Sequence, residues 1–270
     1  MSPQPPTVPP GGTAPPEPRV VLILGGTREA RDLAGLLAGP PGLRVVSSLA
    51  GRVRHPALPA GEVRVGGFGG ADGLAAWLRE HHAAAVVDAT HPFARNISVS
   101  AAAACAATGV PLLGLVREAW LADPDDHWHE VGSLPEAAAL LPALGRRVFL
   151  TTGRQGLDAF AALDDMWFLI RCVDPPSGPL PAPSQVILAR GPYDATAEHA
   201  LMAEHRIEVL VTKNSGGPLT AGKLSAARDL GLPVVMIRRP ERPDIPRRST
   251  PDEAARWIAE VCGGVPPAES

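Results

Sequence analysis

"RVVLILGGTREARDLAGLL", residues 19–37, decides the fold. An apolar strand comes first, two glycines break it, and apolar residues then repeat at helical spacing. Ala30, Leu33, Ala34 and Leu37 fall at i, i+3, i+4 and i+7, which makes one stripe on one helix. Thr27 stands where an N-cap belongs, and Gly39 with Pro40 stops the helix. A strand that is apolar along its whole length is buried on both faces, as in a parallel sheet. The predicted unit is therefore the strand–turn–helix of an open α/β fold. Its turn offers free helix N–H groups to an anion.

The unit recurs. "LRVVSSL", "EVRVGG", "AAAVVDAT" and "PLLGLV" read as further strands, and so do "WHEVG", "RRVFLTT", "WFLIRCV", "QVILAR", "EVLVTK" and "PVVMIRR". Helical patterns lie between them in "ADGLAAWLREHH", "NISVSAAAACAATG", "GLDAFAAL", "ATAEHALMAEHR", "LSAARDLG" and "PDEAARWIAEVC". Such alternation predicts right-handed crossovers and parallel sheets. "REAWLADPDDHWHE" breaks the rhythm with charge and an Asp-Pro-Asp-Asp turn. The expected architecture is two Rossmann-like α/β domains with mainly parallel sheets and an inter-domain cleft. Residues 19–120 form a nucleotide-binding domain and 127–262 a substrate-binding domain. Residues 1–18, rich in proline, and 263–270 are read as loose tails.

The 270 residues are 45% hydrophobic and carry a net charge of −3, so a large core is available and no basic field invites nucleic acid. Cys105, Cys172 and Cys262 are sparse and lack a C-x-x-C spacing, which fits a reducing cytoplasm. No apolar run is long enough for a membrane helix, and the leader has no signal-peptide pattern. His127 and His129 share one face of a strand but lack a third ligand, so no metal site is expected. A monomer is the default.

Ligands of such sheets sit beyond the carboxyl ends of the strands. After the first strand, Gly25 and Gly26 allow backbone to approach a phosphate, with Thr27 opening the helix. NAD-specific folds place an acid about 20 residues after the first glycine. Here that region reads "VVSSLAGRVR", with Ser47, Ser48, Arg52 and Arg54 and no acid, which points to NADPH over NADH. Asp88, Thr90 and His91, after the fourth strand, lie where cofactor or substrate would be. In the second half, "TTGRQG" resembles an anion cradle. Arg154, Arg171, Arg190 and Lys213 follow strand ends, and four such cations on one sheet edge suit a substrate with several carboxylates or phosphates. Asn214 and Ser215 add polar groups, and Tyr193 in "RGPYD" is the single tyrosine. The P-loop pattern, G-x-S-x-G and the Tyr-x-x-x-Lys pair are absent, which excludes P-loop enzymes, α/β-hydrolases and short-chain dehydrogenases.

"LILGGTREARDLA", "VVDATHPFA", "TTGRQGL", "ILARGPY" and "VTKNSGG" occur in this order, and the ordered set resembles the precorrin-6A reductase family of cobalamin biosynthesis. The resemblance spans about residues 19–262 and implies NADPH-dependent reduction of the C18=C19 double bond of precorrin-6A to give precorrin-6B. A related branch acts on a cobalt-containing substrate. The resemblance implies that Gly25, Gly26, Thr27 and Arg28 hold the pyrophosphate and that Ser47, Ser48 and Arg52 hold the adenosine end. Asp88, Thr90 and His91 would flank the nicotinamide, with Lys213 and Asn214 as the candidate catalytic pair. Arg154, Arg171, Arg190, Tyr193, Lys213 and Ser215 would meet the carboxylates of the tetrapyrrole. Two other readings fit the same residues: another two-domain NADP-dependent reductase of a polyanion, or an NADPH-binding sensor without activity.

Overall fold

The computed structural model describes residues 17–39, 42–51 and 58–263. The opening stretch forms β1 (Arg19–Leu24) and α1 (Arg28–Leu37). Thr27 has extended backbone, and its Oγ accepts the Ala30 N–H at 3.1 Å, so it caps the helix as expected. The four residues of the predicted stripe are the buried residues of α1. There follow β2 (Leu43–Leu49), β3 (Glu62–Val65), α2 (Ala71–Glu80), β4 (Ala83–Asp88), α3 (Arg95–Thr108) and β5 (Leu112–Leu115). The second half holds β6 (Trp128–Val131), α4 (Leu134–Leu140), β7 (Arg147–Leu150), β8 (Trp167–Cys172) and β9 (Ser184–Leu188). It continues with α5 (Ala195–Glu204), β10 (Val209–Lys213), α6 (Gly222–Asp229) and β11 (Val234–Ile237). The chain closes with β12 (Arg247–Arg248) and α7 (Pro251–Val261).

These strands make two six-stranded sheets, ordered β12-β5-β4-β1-β2-β3 and β6-β11-β10-β7-β8-β9. Every pairing in both is parallel. Parallel strands buried on both faces explain why their sequences run apolar without alternation. In the first sheet, Val21, Ile23 and Val45 pack beneath α1 and α7, while Leu22, Val46 and Val86 pack against α2 and α3. In the second, Val148, Leu150 and Ile170 face α4, and Phe149, Leu169 and Leu210 face α5 and α6. Each sheet has one point where the strand order reverses: between β1 and β4, and between β7 and β10. Ligand crevices form at such points.

Three elements differ from the sequence reading. "GLDAFAAL" makes only a 3₁₀ turn over Leu157–Phe160. The short helix α4, capped by Ser133, was not anticipated, because seven residues carry too little periodicity. The end of the chain, expected within the second half at 127–262, returns to the first sheet. β12 pairs with β5, and Ala254, Ala255 and Ile258 of α7 enter the core beneath α1. The reason is burial: the apolar stripe of α7 covers a sheet face that α1 alone leaves open.

The halves are thus joined twice, by residues 116–127 and 238–246. Arg239 staples the crossings together, donating from Nη1 to the Arg117 carbonyl, from Nε to that of Asn214 and from Nη2 to that of Glu118. Gly216 has φ +70°, and a Cβ there would overlap the Glu118 carbonyl. Only glycine lets the loop after β10 lie this close to the first crossing.

Candidate active site

The β1–α1 turn is built for close approach. Gly25 N–H donates to the Ser48 carbonyl at 2.9 Å, which ties the turn to β2. Gly26 has φ +116° and open space where a Cβ would stand. The Thr27 hydroxyl donates to the Ala89 carbonyl at 2.7 Å, fixing the turn to the end of β4. Beyond Thr27, the first turn of α1 presents N–H groups that have no intrahelical acceptor. Arg28, expected on the pyrophosphate, is exposed on the helix surface and pairs with Asp32 at 3.3 Å.

A dinucleotide fits this end of the sheet on two observations. The glycine turn and helix N-terminus make an open anion cradle, and the Ser47 Oγ is buried with no hydrogen-bond partner among the described residues. Ser47 lies on the same face of β2 as Val45, which packs beneath α1. Ser48, on the opposite face, meets the Arg64 guanidinium at 3.3 Å. Arg52 lies outside the described residues.

Past β4, Asp88 is completely buried. Its Oδ1 accepts the Thr90 N–H and hydroxyl at 3.1 and 2.6 Å, and its Oδ2 accepts Arg242 at 2.5 Å. Asp88 and Thr90 therefore shape the loop and anchor the second crossing, rather than presenting free groups to a ligand. His91 is different. Its Nδ1 accepts the Phe93 N–H at 3.2 Å, so the ring proton of the neutral form sits on Nε2. Burial, and the charges of Arg117, Lys213, Arg239 and Arg242, push its pKa down to about 3. His91 is thus a neutral N–H donor close enough to these cations to feel their charge.

Those cations come from both halves. Arg117 follows β5 and pairs with Glu29 in the first turn of α1 at 3.0 Å. Its Nε also donates to the Ser215 carbonyl at 2.7 Å, so Ser215 contributes backbone here. Lys213 ends β10 with its ammonium 5.5 Å from the Phe93 ring, and burial lowers its pKa. Phe93 itself packs against the core of the second half. The loops 88–94 and 212–217 therefore meet between the two halves.

The remaining second-half candidates divide. Arg154 is half-buried and Arg190 exposed, both just past strand ends on the second sheet's carboxyl edge. Arg171 is a correction. It is buried, forms a bidentate pair with Glu198 at 2.5 and 2.8 Å, and lies 3.7 Å over the Tyr193 ring. Side chains alternate along a strand, and Arg171 turns under α5 instead of off the edge. Tyr193 is corrected with it, because its hydroxyl donates to the Ala189 carbonyl. Asn214, expected to be catalytic, spends both ends of its amide on the Trp120 backbone at 2.9 Å and holds the crossing in place. Arg117 and Arg239 follow the strands "PLLGLV" and "PVVMIRR", so the strand-end rule applied to every strand would have found them. Arg242 lies in an irregular crossing and had no such signal.

Among the described residues, no cluster of three or more potential metal ligands occurs, and no helix is long and apolar enough to cross a membrane.

Two parallel Rossmann-like sheets, a glycine turn on the first and strand-end loops of both halves meeting beside it are the arrangement of a two-domain α/β enzyme. Residues 20–259 match the family described as Precorrin-6x reductase CbiJ/CobK, and the chain belongs to that family of oxidoreductases. It is 58% identical to the precorrin-6A reductase of Rhodococcus erythropolis over 89% of this chain and 96% of that one. Identity to the precorrin-6A reductase of Mycobacterium tuberculosis is 52%, over 88% and 97% of the two chains. A solved CobK precorrin-6A reductase superposes with a TM-score of 0.85 at 42% identity, covering 92% of this chain and 98% of that one.

Proposed function

We propose that this chain reduces precorrin-6A to precorrin-6B in cobalamin biosynthesis, taking hydride from NADPH to the C18=C19 double bond. The observation that carries this reading is the meeting of the loops 88–94 and 212–217 beside the glycine turn, with the Lys213 ammonium 5.5 Å from the Phe93 ring and Thr27 bonded to the Ala89 carbonyl. A macrocycle bearing many acetates and propionates needs cations at several points, and the strand-end Lys213, Arg154 and Arg190 supply them. The reduced nicotinamide supplies the hydride.

The protein's own contribution is binding and order. Gly25, Gly26 and Thr27 with the α1 N-terminus hold the pyrophosphate, and Ser47 and Ser48 receive the adenosine end together with Arg52. Lys213 binds a carboxylate of the ring, and Arg154 and Arg190 extend the positive edge. His91 donates from Nε2 to an acceptor on the substrate or nicotinamide and stays neutral through the physiological range. Holding donor and acceptor in contact while excluding water supplies much of the rate. The metal-free substrate is favoured over the cobalt form. Identity to relatives named precorrin-6A reductase reaches 58%, against 31% for the cobalt-precorrin-6A reductase of Priestia megaterium. All three cysteines are buried and unpaired, which suits a reducing cytoplasm.

Anaerobic incubation with precorrin-6A and NADPH tests the reading. It requires loss of the reduced-nicotinamide absorbance and a product heavier by two hydrogens. Cofactor binding without turnover would instead indicate a sensor.

A further inference from the structure

The first sheet carries a cation at the end of β2 that the cofactor reading above leaves unassigned. Arg64 sits on β3 directly opposite Ser48. Its Nη1 donates to the Ser48 Oγ at 3.3 Å and to the Gly66 carbonyl at 2.6 Å, and its Nη2 donates to the Gly67 carbonyl at 2.7 Å. The guanidinium lies 3.8 Å over the Phe68 ring. The group is therefore fixed in plane and in position before any ligand arrives. Three of its five N–H groups are used, and Nε–H and one N–H of Nη2 have no acceptor among the described residues. Two donors are what a bidentate contact with a phosphate requires.

The surroundings select for such an anion. In dinucleotide folds the end of β2 lies beside the adenosine ribose, where an acid binds the free hydroxyls and an Arg receives a 2′-phosphate. Residues 43–51, "LRVVSSLAG", contain no acid. Ser48 offers a hydroxyl beside the guanidinium, and the glycines at 66 and 67 leave the approach free of side chains.

We propose that Arg64, with Ser48, is the 2′-phosphate receptor that makes this chain select NADPH over NADH. The proposal rests on the reading of the chain as a nicotinamide-dependent reductase. Arg64 takes no part in hydride transfer. It sets cofactor choice by pairing with a dianion that NADH lacks, while the shared pyrophosphate binds at the β1–α1 turn and the shared adenosine beside Ser47.

Calorimetric binding of adenosine 2′,5′-bisphosphate and adenosine 5′-monophosphate tests this without turnover. Wild type should prefer the bisphosphate, and Arg64→Ala should cut that preference at least about tenfold, since a charge-assisted bidentate contact is at stake. Monophosphate binding should change less than roughly twofold, and Arg64→Lys should recover part of the preference as a single point charge. A preference unchanged in Arg64→Ala overturns the assignment and leaves the NADPH reading standing. Parallel loss of both ligands, with Arg64→Lys behaving alike, also overturns it, because that is the signature of a structural residue. A wild type that shows no preference overturns the assignment and the choice of NADPH together.

Discussion

At the residue scale, the chemistry depends on how each charge is housed. Lys213, half-buried, and Lys223, buried, both have lowered pKa, yet they sit in different places. Lys213 ends β10 at the cleft, whereas Lys223 is enclosed beneath Trp120, donating to the Thr220 carbonyl at 2.7 Å. Lys213→Ala should therefore raise KM for the tetrapyrrole at least about tenfold, since a desolvated carboxylate loses its partner. Steady-state kinetics showing KM and kcat both unchanged would remove Lys213 from the site. Lys223 predicts a pH effect instead. Burial, aided by the charges of Arg171 and Arg117 and opposed by Glu198, pushes its pKa down to about 7. Lysine in an unfolded chain titrates near about 10.4, so between those values the unfolded state binds the extra proton. Stability conferred through this group thus rises with pH from about 7 to about 10, and its penalty is complete below that window. Lys223→Met removes the titration. Relative to wild type, the variant should look most favourable near about pH 6 and lose that advantage toward about pH 10 in urea unfolding. A wild-type-minus-variant difference that is flat across the window would contradict the buried-ammonium account.

At the element scale, strands and their order of appearance were legible because two-faced burial leaves an apolar run. Helices with a full stripe, such as α1, were legible through Ala30, Leu33, Ala34 and Leu37. The side of the sheet that a strand-end cation chooses was not legible from position in the chain alone. Arg171 and Lys213 both end apolar strands, but Arg171 turns inward to Glu198 while Lys213 reaches the cleft. Nor did the sequence mark the polar groups that serve backbone, as Asn214 serves Trp120. The loop after β10 shows what such service requires. At Gly216 a side chain would need both left-handed backbone and the space of the Glu118 carbonyl. Gly216→Ala should cost at least about 2 kcal/mol of unfolding free energy and loosen the crossings that Arg239 staples. Denaturant unfolding within about 0.5 kcal/mol of wild type would show that the loop has room to move.

At the scale of the whole molecule, the two halves are interlocked as well as joined. The chain leaves the first sheet after β5, builds the second, and returns to add β12 and α7 to the first. Both crossings carry cations whose charge acts on His91, Arg117 on one and Arg239 and Arg242 on the other. The return that completes the first domain's core therefore also ties the loop after β4 through the contact of Arg242 with Asp88. That coupling could not be read from the sequence, because α7 has the same amphipathic pattern on whichever sheet it lands. It brings the second crossing to the carboxyl end of the first sheet, beside the glycine turn. The central claim is hydride transfer from that dinucleotide to a tetrapyrrole, and following the label tests it most directly. With NADPH carrying deuterium at the transferable position, anaerobic turnover of precorrin-6A should yield a product that retains one deuterium on the macrocycle, together with one solvent-derived hydrogen. A product without deuterium, or unchanged precorrin-6A beside fully bound cofactor, would contradict the account.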